Sequence, residues 1–252
     1  MKPLGLFLIL TLLCLSAPAR AETIVLASDY WCPYICDPIK TGREGISVDI
    51  ARMIFEEAGH SVSFMPVNWK RAIDETRSGG FDAIVDATRD DAPDFVYPVE
   101  PINDQTTCFF TSRSSHWTYK NIESLENVSL GVIAGYHYSS ELDDYVLRNR
   151  NTGRVAIMHG DNALSRNVRR VRLGMIDVLV EDPLVLGWLL RSQGEGAALR
   201  MAGCLDERTP LFIAFSPANP HSREYARIFS EGLRRLRQSG ELERIRKQYG
   251  VD

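Results

Sequence analysis

The chain has 252 residues, with 29 Lys and Arg against 33 Asp and Glu and a formal charge of −4. That acidity supplies no basic stripe for a phosphate backbone, which excludes nucleic acid as a partner. The length fits one large domain or two small ones, with enough chain to bury a sizeable core.

In chain order, residues 1–21 come first. Lys2 precedes an apolar run from Leu4 to Leu15, and Ala19-Arg20-Ala21 is a small-x-small sequence. This pattern predicts a secretory signal peptide cleaved after Ala21, and with it a periplasmic location. The run is too short to span a bilayer, which takes about 20 residues. No later stretch is apolar enough to do so.

Short β-rich runs then alternate with helical patterns. The predicted strands are Thr23–Ala27, Val62–Met65, Asp82–Val85, Thr107–Thr111, Ser129–Ile133, Arg154–Met158, Ile176–Val180 and Leu211–Phe215. Each is rich in Val, Ile or Phe and has turn residues nearby. The first predicted helix, Val48–Ala58, sets Val48, Ala51, Phe55 and Ala58 on one face, at spacings of three and four. Asn68–Ser78 follows, stopped by Gly79-Gly80. Asn162–Leu173, Ser222–Gln238 and Glu241–Tyr249 complete the set, with Gly240 separating the last two. Alternating strands and helices imply an α/β fold with a largely parallel sheet and helices on both faces.

Beyond the predicted cleavage site lie Cys32, Cys36, Cys108 and Cys204. An even count in an oxidising compartment favours disulfides. Four cysteines allow three pairings. Cys32 and Cys36 are close enough to pair around a turn, which would leave Cys108 with Cys204. A zinc site is the alternative, but no second ligand pair of His or Cys follows. No metal and no cofactor are expected.

Several segments, taken in order, resemble the extracellular solute-binding proteins of family 3, which serve polar amino acid ABC transporters and have the type II periplasmic binding fold. They are TIVLASDYWCPY (23–34), GISVDIARMI (45–54), VNWKR (67–71), SGGFDAIV (78–85), RDDAPDFVY (89–97), LGVIAG (130–135), IDVLVED (176–182) and the tail 236–249. The resemblance implies two lobes, each a mixed, mostly parallel sheet flanked by helices, joined by two hinge crossings. Lobe 1 would hold residues 22–107 and 211–252, and lobe 2 residues 108–210. Cys108 and Cys204 would then lie near the two crossings.

The resemblance also implies a site. Arg89 would clamp a ligand carboxylate through its planar fork of donors, with Thr88 beside it. Asp182 would accept an ammonium group; its other reading is a helix N-cap before Pro183. Trp31 and Trp69 would wall the ligand, as indole faces attract cations and cover aliphatic stems. Asp29 lies nearby. Two features depart from the family's pattern. The stretch from Asp82 to Arg89 is short, and Tyr136-His137-Tyr138 stands where small Ser or Thr residues are usual. Tyr136 and His137 therefore join the candidate site, and an ordinary amino acid pocket is not expected.

No G-x-S-x-G, P-loop or H-E-x-x-H sequence is present, and the five histidines show no ligand spacing. No catalytic residues are assigned. The expected function is capture of a small polar solute, an amino acid or related carboxylate, by a non-enzymatic monomer that delivers it to an ABC permease. The alternatives are a ligand-sensing binder that signals through a partner and a dehydratase-like enzyme on the same fold.

Overall fold

A computed structural model describes residues 21–160 and 162–251. The predicted signal peptide falls almost wholly outside the described residues. Among those residues, no helix is long and apolar enough to cross a membrane.

The elements in order are β1 (Thr23–Ser28), α1 (Pro38–Thr41), α2 (Ile46–Glu57), β2 (Ser61–Pro66), α3 (Trp69–Arg77), β3 (Ala83–Ala87), β4 (Asn103–Ser112), a 3-10 turn (Ile122–Asn127), β5 (Leu130–Ile133), α4 (Ser140–Asn149), β6 (Val155–Met158), α5 (Ala163–Arg172), β7 (Val178–Glu181), α6 (Pro183–Ser192), β8 (Leu199–Phe215), α7 (Ser222–Ser239) and α8 (Glu241–Gln248). One mixed sheet runs β2-β1-β3-β8-β4-β7-β5-β6. At each end three strands pair in parallel, β2-β1-β3 and β7-β5-β6. Between them lie the antiparallel strands β4 and β8. The fold is α/β with two lobes, and β4 and β8 are the strands shared between them.

Side-chain alternation along the strands builds a core on each face of each lobe. In lobe 2, Phe109, Val178 and Val180 face the cluster under α4, while Cys108, Phe110 and Leu179 face the cluster under α5 and α6. In lobe 1, Ile24 and Leu26 join the large cluster with α2 and α7, and Ala27 and Ile84 join the cluster with α3. Gly45 fixes the approach of the Trp31–Cys36 loop to α2. Its φ is 109°, and a Cβ there would lie 2.3 Å from the Tyr34 carbonyl oxygen.

The predicted helices are present with ends within a residue or two. Two strands are longer than the sequence suggests. β8 begins at Leu199 rather than Leu211, because Pro210 lies within the strand, opposite Asp104 of β4. A proline reads as a strand break since it lacks an N–H to donate. Helices α4 and α6 are additional to the predicted set: α4 sets Leu142, Tyr145 and Val146 at spacings of three and four, whereas α6 is apolar nearly all round.

Two disulfides are formed, Cys32–Cys36 and Cys108–Cys204. Cys108 and Cys204 are direct cross-strand partners on β4 and β8. The bond closes a loop of 96 residues that contains most of lobe 2. Loop entropy assigns such a crosslink about 4.7 kcal/mol and the Cys32–Cys36 loop about 2 kcal/mol. Mass spectrometry of the exported protein should find no free thiol. In urea, Cys108→Ala/Cys204→Ala should lose about 2–4 kcal/mol, and Cys32→Ala/Cys36→Ala less.

Candidate functional site

The candidate site is a cleft between the lobes. Lobe 1 supplies the chain just beyond the C-terminal ends of its parallel strands. Asp29 and Trp31 follow β1, Asp86 and Thr88 close β3, and Asp91 comes next. Ligand crevices of open α/β sheets lie at such strand ends. Trp69, the first residue of α3, adds a second indole. The Asn68 side chain caps this helix by accepting the Arg71 N–H at 3.0 Å. Lobe 2 supplies Tyr136 and His137 from the loop after β5, and Gln105 enters from β4. In this form the cavity left between these residues is about 40 Å³.

Three contacts cross the cleft. The Trp31 indole donates to Glu181 Oε1 at 3.0 Å. The Tyr136 hydroxyl donates to Asp29 Oδ2 at 2.9 Å. His137 Nε2 lies 3.3 Å from Asp90 Oδ2, while its Nδ1 lies 2.5 Å from Asp143 Oδ2. Tyr136 packs against core clusters of both lobes. The structure is therefore a closed form.

The electrostatics of the cleft are acidic. Asp86 has φ 58°, a left-handed conformation at the point where the β3–β8 register shifts. Residues with side chains adopt this region at a cost and cluster at functional sites. Its buried carboxylate accepts from Ser47 Oγ at 2.6 Å and Asn103 Nδ2 at 3.0 Å. Burial outweighs those bonds and pushes its pKa up to about 6. Asp91 is raised by burial as well, against bonds from the Thr88 N–H and hydroxyl, both 2.8 Å. Behind Trp31, Glu181 is 1% exposed, and burial raises it to about 8. Its Oε2 has no hydrogen-bond partner. His137 is raised, chiefly by its bond to Asp143, with Asp91 and Asp90 adding to it against burial.

Of the residues expected in the site, Trp31, Trp69, Asp29, Thr88, Tyr136 and His137 come together on its walls. Two do not. Arg89 is exposed, and its guanidinium carbon lies 4.6 Å from the ring centres of both Tyr97 and Phe212. The short turn after β3 delivers Thr88 to the cleft and turns Arg89 onto those rings. Asp182 is buried and occupied. Its Oδ1 caps α6 by accepting from Leu184 N and Val185 N, and its Oδ2 accepts from Thr106 N at 3.1 Å. The N-cap reading describes what Asp182 does, and it also ties α6 to β4. Sequence reasoning missed Asp86, Asp91 and Gln105. The signal for the first two was an acidic residue on either side of Thr88-Arg89 just past a buried strand. Among the described residues, no group of His, Cys, Asp and Glu could hold a metal ion.

Among curated proteins, no sequence matches this chain. Solved structures with the same fold do. A histidine kinase sensor domain similar to periplasmic binding proteins aligns with TM-score 0.75 and 20% identity over 91% of this chain and 96% of its own. A structure described with glutathione import and a cystine ABC importer of Streptococcus mutans aligns with TM-score 0.75 and 18% identity over 92% and 96%. An ancestral amino acid-binding protein, a precursor of cyclohexadienyl dehydratase, aligns with TM-score 0.70 and 18% identity over 90% and 94%. These three span sensing, import and an enzyme's ancestor, so the likeness fixes the fold and leaves the activity to the site. The profile of the bacterial extracellular solute-binding proteins, family 3, matches residues 24–252, and the chain belongs to that family.

Proposed function

We propose that the protein captures a small polar solute in the periplasm by closing its two lobes around it, and that an ABC permease takes the solute from the closed form. The observation that supports this most directly is the cleft itself, walled from both lobes and bridged by Trp31–Glu181, Tyr136–Asp29 and His137–Asp90. Each contact exists only while the lobes are together, so each contributes to closure and is lost on opening. Of the two chemical ends of an amino acid, the walls favour the ammonium. They carry carboxylates, and Arg89 is turned away.

A binder is favoured over a dehydratase. An enzyme on this fold needs an acid or base within reach of the substrate. Glu181 is not on the cavity wall and already holds the Trp31 indole, and the wall's own acid–base groups are engaged: Asp86 by Ser47 and Asn103, Asp91 by Thr88, and His137 by Asp90 and Asp143.

Thermal-shift and calorimetric screens of amino acids, amines and organic acids should find one micromolar binder, about −8 kcal/mol. Binding should change the fluorescence of Trp31 and Trp69, and Trp31→Ala should weaken it by tenfold or more. Silence across every class would sink the proposal.

Closure should also depend on pH. Asp86 and Glu181 bind protons more tightly folded than unfolded, and so does His137. For all three, stability is present at low pH and lost as pH rises through the folded pKa. Melting temperature should fall between pH 5 and pH 9 (roughly the span from unfolded carboxyl to folded Glu181). Glu181→Gln, which keeps an acceptor for Trp31, should flatten that fall above about pH 6. An unchanged slope in the variant would remove Glu181 from the account.

A further inference from the structure

We infer that the solute of this cleft is a small organic cation with no carboxylate of its own: an amine, a guanidine or a quaternary ammonium. This rests on the solute-capture reading above and names the class of solute.

Charge on the walls comes first. Asp29, Asp86 and Asp91 line the cavity, and no Lys or Arg does so. Asp86 takes its hydrogen bonds from neutral donors, Ser47 and Asn103, and its charged neighbour Asp182 is also an anion. Asp91 takes its bonds from Thr88 and the Trp69 side chain, and the cationic group that acts on it is His137. The one basic side chain on the wall is His137, and its two ring nitrogens already face Asp90 and Asp143. A cation entering this space gains the attraction of carboxylates that burial has stripped of water, where Coulomb forces are weakly screened. An added carboxylate meets repulsion.

Aromatic faces supply the second, independent line. Trp31, Trp69 and Tyr136 stand around the same space. Trp31 is held rigid by stacking on Tyr34, with ring centres 4.8 Å apart, and by its bond to Glu181. Indole and phenol faces attract cations and cover alkyl groups.

The third line is what has become of the groups that could receive an anion. Helix N-termini attract anions through their free N–H groups and dipole. At α6, Asp182 fills that place. At α4, which follows the His137 loop, Glu141 and Asp143 occupy the first turn, and Asp143 accepts the Tyr138 N–H. At α2, the first two N–H groups, of Ile46 and Ser47, donate to the carbonyls of Pro33 and Tyr34. At α3, Asn68 caps the end, and Lys70 and Arg71 are exposed and paired with Asp74 and Glu75. Arg89 is engaged by Tyr97 and Phe212. At α6 and α4 a ligand carboxylate would meet one of the protein's own.

The test is calorimetry on protein that has been unfolded and refolded to strip co-purified solute. The probes are matched pairs that differ in a carboxylate: agmatine and arginine, cadaverine and lysine, choline and betaine. In at least one pair the carboxylate-free cation should bind tenfold or more tighter. Asp91→Asn and Asp86→Asn should each weaken that cation by about tenfold to a hundredfold, whereas Arg89→Ala should stay within twofold. The paired comparison uses the unaltered protein, so a variant that fails to fold does not affect it. The inference is overturned if the carboxylate-bearing member binds as well or better in every pair, if Arg89→Ala abolishes binding, or if none of the three cations binds. In that last case a wider screen of amino acids, sugars and organic acids separates the two claims. A binder found there leaves solute capture standing and removes only the cation, while silence there removes both.

Discussion

The pairing of β4 with β8 is the constraint on which the two-lobed arrangement depends. Both strands cross from one lobe to the other, and they are bonded to each other from Asn103–Leu211 at one end to Ser112–Leu199 at the other. Each lobe hangs its parallel strands on this ribbon, β3 on β8 and β7 on β4. The ribbon is crosslinked at Cys108–Cys204 and gripped by Asp182, which accepts the Thr106 N–H while capping α6. A crosslinked antiparallel pair resists sliding, because a slip of one residue would turn every side chain to the wrong face. It can still bend and twist. Under the proposed capture, opening and closing would bend this ribbon while its register stays fixed.

What closing accomplishes follows from desolvation. The cross-cleft contacts use polar groups that water would otherwise satisfy: an indole N–H, a phenol, an imidazole and carboxylates. Bringing them together removes that water, and the cost appears as carboxyl groups raised by burial, Asp86 to about 6 and Glu181 to about 8. A buried carboxylate without a cation is an expensive arrangement. Glu181, whose Oε2 has no hydrogen-bond partner, meets that cost by keeping its proton up to about pH 8. Such a cleft favours closure most when something arrives to balance the charge. A solute drives closure only if its affinity differs between the two states, and in the proposed capture that difference comes from carboxylates that closing deprives of water.

Much of this was legible in the sequence. Strands and helices were announced by period and by stop signals, as in Gly79-Gly80 after α3 and Gly240 between α7 and α8. Motif order identified the family, and Trp31, Trp69 and Tyr136, singled out by motif position and local departure, line the cleft. The rest was not legible for identifiable reasons. Pro210 reads as a break because local sequence does not show that its neighbouring strand, β4, continues past it. Asp86 looked like one residue of a loop, because nothing in a sequence displays a φ of 58° or a partner as distant as Asn103.

Arg89 and Asp182 show where transfer by motif reaches its limit. Both stand at the positions the family's pattern indicates, and both have the chemistry to meet an amino acid. A motif position fixes where along the chain a residue lies, but the turn that carries it decides where its side chain goes. The turn after β3 is short, so Thr88 occupies the wall and Arg89 passes beyond it onto Tyr97 and Phe212. Pro183 begins α6 and demands a cap, so Asp182 folds back on Leu184 and Val185, and its remaining oxygen is taken by β4. With those two groups withdrawn, the cleft loses a cationic clamp and keeps Asp29, Asp86 and Asp91 as its charged wall. Withdrawing Arg89 and Asp182 removes one charge of each sign, so the acidic balance of the wall rests on Asp29, Asp86 and Asp91 themselves. The cation preference inferred above follows from that wall, on a scaffold whose hinge and strand order are unchanged.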